Sequence, residues 1–250
     1  MRMVISGYNF PNFVIKFGKK INLEKLKSGS VYMKDYWYYK NLEDGGMGDK
    51  LEGCEFSNQD VTIKMDDGGE DIVVPGFLYY EPDEENKVPI FCATWVDEKN
   101  AVLKQVELCG QHQITGRTIY YGCFSIKIDI DKIIQDFDCE YGLIFQYDEF
   151  KDKFERHCIE KNLKRDQGLV SYYDYKDRNN PWLKNKVNGF DRFYRKRKEF
   201  EHQNEVRWVI DKVLVGTDNY TFNIGELETA CLLPIEKFRD LEVKAYCYKE

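Results

Sequence analysis

The chain has 250 residues, 42% hydrophobic and 32% charged, which is enough apolar sequence to close a core and excludes a wholly disordered chain. Its formal charge of −7 and pI near 5.3 exclude a chain-wide basic surface for nucleic acid. No apolar run reaches the roughly 18 residues of a membrane span. Met1 to Gly7 lead into polar sequence rather than an apolar leader. None of the 8 Cys forms a CxxC pair. The expectation is one cytoplasmic domain over residues 1–250, with reduced thiols and no membrane partner.

In chain order, residues 12–17 read as a first strand. Residues 22–27 read as a short helix, capped by Asn22 and stopped by Gly29. Residues 30–34 form a second strand, followed by the aromatic run Tyr36-Trp37-Tyr38-Tyr39 and a glycine-rich loop over 43–53. Residues 61–65 and 72–74 flank Asp66-Asp67-Gly68-Gly69 and predict a hairpin. Residues 82–87 are a polar loop, 88–96 an apolar strand, and 97–118 carry no legible period. Residues 119–130 read as a strand pair or a strand entering a helix, with Asp131 capping residues 132–136.

Residues 141–147 are a strand. Asp148 then caps a helix to about residue 163, with Phe150, Phe154, Cys158 and Leu163 inward. Residues 168–175 form another strand, and 176–189 a polar loop. Later strands fall at 205–210, 220–224, 229–233 and 241–246, with a helical turn opened by Pro234. Many strands with few scattered helices predict an α+β fold, mostly antiparallel with peripheral helices, rather than a doubly wound sheet.

The motifs narrow the chemistry. Cys109 and His112 have ligand-like spacing, but no second pair completes a zinc set, so no metal site is expected. The loop through Gly45, Gly46 and Gly48 lacks the spacing of a phosphate loop. Asp49 and Glu52 stand in it as candidate substrate contacts. The informative stretch is 192–207. The basic residues Arg192, Arg195, Lys196, Arg197 and Lys198 precede a strand carrying Gln203, Glu205 and Arg207 at spacing two, hence on one face. Val206, Trp208 and Ile210 lie opposite as core. A polar row backed by core is either a solvent face or a cleft floor, and the basic cluster would attract a polyanion.

The order of Tyr36 to Tyr39, Gly48-Asp49-Lys50-Leu51-Glu52-Gly53, Pro89-Ile90-Phe91-Cys92, Gly168 to Tyr173, Lys198 to Arg207 and Ile224-Gly225-Glu226-Leu227 resembles a family of uncharacterised bacterial and prophage proteins. More distantly, residues 14–33 and the strand of Glu205 resemble the ADP-ribosyltransferase superfamily. That resemblance implies a split β core around NAD as substrate, with Glu205 as the catalytic carboxylate. The first-strand position that is His or Arg in the superfamily is Lys16 here. Lys16, Tyr36, Tyr39, Gln203 and Arg207 would then contact the dinucleotide, and Asp49, Glu52, Tyr172, Arg195 and Arg197 the acceptor. The implied role is a toxin or anti-phage defence effector that modifies nucleic acid or protein, held by an antitoxin or defence-complex partner. The alternative is a non-catalytic phage or host interaction protein on a related scaffold, such as an inhibitor, a nucleotide-binding sponge or a defence-complex partner.

Overall fold

The computed structural model describes residues 3–40, 42, 48–49, 51–52, 55–57, 61–63, 72–74, 78–80, 87–174, 177, 189–212, 214 and 219–249. Strands β1 (Met3–Ile5) and β2 (Tyr8–Phe10) form a hairpin. Then come β3 (Phe13–Gly18), α1 (Lys20–Lys27), β4 (Ser30–Asp35) and the short helix α2 (Tyr36–Lys40). Four short strands, β5 (Glu55–Ser57), β6 (Val61–Ile63), β7 (Ile72–Val74) and β8 (Leu78–Tyr80), precede β9 (Pro89–Val96), β10 (Ala101–Gln111) and β11 (Thr118–Ile126). Helix α3 (Ile130–Phe137), β12 (Tyr141–Gln146), α4 (Tyr147–Glu160), β13 (Arg165–Leu169) and β14 (Ser171–Tyr173) follow. Two 3-10 segments, Gly189–Tyr194 and Lys198–Gln203, flank β15 (Arg195–Arg197). The chain ends with β16 (Glu205–Ile210), β17 (Asn219–Asn223), β18 (Cys231–Pro234), a 3-10 segment (Ile235–Asp240) and β19 (Glu242–Lys249).

The fold is α+β and mostly antiparallel, as the sequence predicts. The larger sheet runs β13-β16-β9-β3-β12-β18, with every pairing antiparallel. A second sheet runs β1-β2-β19-β11-β10. Among the described pairings only β14 and β15 run parallel.

The larger sheet forks at β9. The Thr94 to Val96 end of β9 pairs with Ile15 to Phe13 of β3, while Ile90 and Pro89 pair with Lys34 and Asp35 of β4. β3 and β4 therefore share one edge of β9 and part from each other along it. The α1 connection makes this possible. Gly29, at φ +95, turns the chain into β4 where a Cβ would stand 2.3 Å from the Gly225 carbonyl oxygen, a place only glycine fits.

Both faces of this sheet are buried. Val14, Phe91, Trp95, Phe145 and Trp208 pack under Leu23 and Leu26 of α1 and Phe150, Phe154 and Cys158 of α4. Phe13, Ile15 and Phe17 face the other way, onto Phe10 and Phe124 of the second sheet and Ile130 and Ile133 of α3. Strict alternation along β3 thus serves two cores at once.

Several local expectations are corrected. The aromatic run at Tyr36 is helical. The unread stretch after residue 97 holds the 11-residue strand β10, legible only poorly because most of its side chains are exposed. Asp129, not Asp131, caps α3, its carboxylate accepting from the Lys132 amide at 3.1 Å. Helix α1 starts two residues before Asn22, and α4 starts one residue before Asp148, neither with a side-chain cap. The hairpin strands β6 and β7 pair as expected, Val61 opposite Val74. Their Asp/Gly turn, the loop glycines Gly45 and Gly46, residues 82–86 and the Asn179-Asn180-Pro181 segment lie outside the described residues. Cys92, Cys109, Cys123, Cys139, Cys158, Cys231 and Cys247 are free thiols. No described helix is long and apolar enough to cross a membrane.

Candidate functional site

The fork leaves a cavity of about 440 Å³ between β3, α1, α2 and the β9–β16 ladder. That falls within the range of roughly 300–1,000 Å³ typical of small-molecule sites. Ile90, Cys92 and Thr94 of β9 reach it, alternating with Phe91 and Trp95 in the core, while Ala93 touches both. Glu205, in register with Thr94, and Arg207, in register with Cys92, continue the same face on β16. Tyr38 and Tyr39 of α2 form a wall of paired rings, centroids 5.7 Å apart. The N-cap residue of α1, Lys19, and Asn22 of its first turn complete the lining on that side.

The floor is a buried network of charges. Glu205 is 7% exposed, Arg207 2%, Lys196 1%, Glu52 1% and Gln203 0%. Lys196 Nζ donates to Glu205 Oε1 at 2.7 Å and to Gln203 Oε1 at 2.6 Å. Arg207 Nε donates to Glu205 Oε2 at 2.8 Å, and its Nη2 stands 2.8 Å from the same oxygen as an ion pair. Its Nη1 donates to the Phe193 carbonyl at 2.7 Å and to Glu52 Oε1. Burial opposes the charge on Glu205, but the Arg207 and Lys196 cations outweigh it and pull its pKa down to about 2. Burial pushes Glu52 the other way, above its ordinary range, with Arg207 and Lys196 opposing only in part. Burial also raises the Tyr39 and Tyr172 phenols and lifts the Cys92 thiol to about 12, so these groups stay protonated near neutrality.

Each residue singled out from the sequence has a definite position. Lys16 lines the cavity and bridges the fork, its Nζ donating to the Cys92 carbonyl at 2.7 Å above the Phe91 ring. Burial lowers its pKa, with Cys92 and Glu205 opposing. Glu205, Arg207, Glu52 and Tyr39 also line the cavity.

Gln203 stands beneath it and is not on the strand. It ends a 3-10 segment, and Asn204 at φ 41 turns the chain before β16 begins. Asparagine tolerates that left-handed conformation better than most residues. Tyr172 sits behind the strand, where its hydroxyl accepts from the Glu205 amide at 2.8 Å.

Other assignments change. Tyr36 does not wall the cavity; it is 2% exposed and packs edge-on against Phe193. Arg207 commits Nε to Glu205 and Nη1 to Glu52 and Phe193, so its charge serves the two carboxylates rather than standing open to a pyrophosphate. Asp49 and Arg197 bind each other, Nε to Oδ1 at 2.6 Å, and therefore do not face an acceptor. The basic cluster is not a polyanion patch: Arg195 and Lys196 are buried, and β15 ties them to β14.

Sequence reasoning missed Lys196 as the partner of Glu205 and missed Phe137 and Asn22 as lining residues. Lys196 gave no distinguishing signal, since five basic residues stand together. Alternation in β9 could have marked Cys92 and Thr94.

No protein-family model, curated protein or solved structure matches the chain.

Proposed function

We propose that this cavity binds a nicotinamide dinucleotide and that the protein is an ADP-ribosyltransferase-like enzyme, with Glu205 as its catalytic carboxylate. The observation that carries the reading is a buried, ionised Glu205 on the wall of a forked-sheet cavity flanked by Tyr38 and Tyr39. Among the described residues Glu205 Oε1 accepts from Lys196 alone and keeps a lone pair for a ribose hydroxyl. When the bond from ribose C1′ to the nicotinamide nitrogen breaks, its electron pair leaves with nicotinamide and positive charge develops on the sugar. A carboxylate fixed beside that sugar stabilises the charge without reorganising. Water, or a hydroxyl or amine of an acceptor, then bonds to C1′ and gives up its proton. Tyr38 and Tyr39 offer ring faces to a heterocycle. Lys16, with the uncapped first turn of α1, offers positive potential for phosphate.

The test incubates purified protein with NAD labelled in its adenylate half, together with total cell RNA and protein. Nicotinamide release, with label appearing in one acceptor class, is the expected result. Glu205→Gln should cut it about 100-fold or more. Absence of both binding and release in the wild type would sink the reading.

A second reading has its own support. Lys196 and Arg207 hold both oxygens of Glu205, as in a structural ion pair, so the cavity would bind the dinucleotide without cleaving it. Saturable NAD binding with no release in either variant selects that reading.

A further inference from the structure

Glu52 has one satisfied oxygen and one that is not. Its Oε1 is held by Arg207, while Oε2 is buried with no hydrogen-bond partner among the described residues. A buried acceptor left unmade costs free energy, so such a group calls for a donor. Glu52 lines the same cavity as Glu205, and one guanidinium links the two carboxyl groups.

The turn that carries Glu52 is fixed. Asp49 accepts from the Glu52 amide through its carbonyl at 2.8 Å and from the Leu51 amide through Oδ1 at 2.9 Å, while Arg197 clamps its carboxylate. Arg207 cannot swing round to reach Oε2, because the Phe193 carbonyl and Glu205 hold it. The open oxygen of Glu52 and the half-used Oε1 of Glu205 therefore give the cavity two acceptors set by one rigid cation. Two acceptors suit a ligand end rich in donors, of which a sugar diol is the commonest in nucleosides.

We propose that Glu52 is a second ligand-binding carboxylate, whose free oxygen takes a ribose hydroxyl of a nucleoside-type ligand while Glu205 takes another. This deepens the dinucleotide reading by naming the contact that selects the sugar. It also stands without cleavage, since it concerns recognition alone. Among the described residues, Arg207, Glu205, Cys92 and Tyr172, with Lys196 of β15, are the titratable groups that face Glu52. Burial makes Glu52 the easier of the two carboxyl groups to protonate, and protonation converts its acceptor to a donor.

The experiment measures the affinity of the whole chain for NAD, adenosine and 2′,3′-dideoxyadenosine by titration calorimetry, for wild type and Glu52→Gln, from pH 8 to pH 5. Wild type should bind adenosine at least about tenfold more tightly than the dideoxynucleoside, the value of one hydrogen bond to a charged group. Its affinity should fall as the pH drops through the Glu52 titration. Glu52→Gln should bind NAD and adenosine about tenfold more weakly, with a flatter profile.

Equal affinity for adenosine and the dideoxynucleoside in wild type overturns the proposal without needing any variant. Equal NAD binding by wild type and Glu52→Gln also overturns it, and leaves the dinucleotide reading standing. Diol-dependent, Glu52-dependent adenosine binding with no NAD binding or release overturns the dinucleotide reading and upholds the Glu52 contact. No binding of any of the three overturns both.

Discussion

The two faces of β16 are buried to the same degree and are made of opposite chemistry. Val206, Trp208 and Ile210 are at most 2% exposed, and the Trp208 ring meets Phe150 at 4.8 Å and Phe91 at 5.7 Å. On the other face Glu205 and Arg207 are 7% and 2% exposed, and they meet Lys196, Glu52 and the Phe193 carbonyl. Burial alone therefore does not mark the site. The apolar face is closed by rings that need only volume. The polar face is closed by groups from two other stretches of chain, Glu52 and the run from Phe193 to Lys196, and it adjoins the cavity. Desolvating charges to build such a face costs free energy that an apolar substitute would not, which is a reason to look for a ligand there.

The largest expected effects break one face at a time. Trp208→Ala should cost about 3–5 kcal/mol in urea unfolding, because it opens a cavity among close-packed rings. Arg207→Met should cost a similar amount, about 3–5 kcal/mol, for a different reason: it leaves Glu205 and Glu52 buried without their shared cation. A double replacement separates the two causes. With Glu52 and Glu205 both changed to Gln, the further cost of Arg207→Met should shrink, whereas the cost of Trp208→Ala should not move. If Arg207→Met is as harmful in the double background as in wild type, the charges are not what the guanidinium is there for.

The comparison also explains what could be read in advance. The spacing of Glu205, Arg207 and the even-numbered apolar residues sufficed to separate the faces, because β-strand alternation is a local property. The same holds for Phe150, Phe154 and Cys158 on α4. Gln203 was assigned to the face by the same spacing and reached it by another route, since it lies before Asn204 in a 3-10 segment and joins through Lys196. Whether the polar row met solvent or a cleft depended on Glu52, which lies 155 residues from Arg207 along the chain. Pairing over that separation depends on the fork at β9 and on the Asp49–Arg197 clamp, neither of which has a local signature. The basic cluster misled for the same reason: charge was legible, but the direction in which Arg195 and Lys196 turn was set by the β14–β15 pairing.

The smallest effect at neutral pH sharpens the comparison most, because only one face titrates. The pKa of Glu205 falls from an ordinary 4.5 to about 2 on folding, so the folded state holds its proton less tightly than the unfolded chain. The stability this contributes is complete above about pH 4.5 and is lost as the pH falls toward 2. Glu52 is shifted upward and works in the opposite sense, gaining stability as it is protonated at higher pH, so the acid loss from Glu205 should stand out below 4.5. Urea unfolding from pH 7 to pH 3 should therefore give a shallower acid limb for Glu205→Gln than for wild type. Ile210→Val, on the apolar face of the same strand, should lower stability by about 0.5–1.5 kcal/mol at every pH and run parallel to wild type. Other carboxylates, such as Asp131 and Glu149, are common to all three proteins and cancel in the differences. An acid limb as steep in Glu205→Gln as in wild type would mean that the Lys196 and Arg207 contacts do not hold Glu205 ionised, and the catalytic assignment would lose its electrostatic basis.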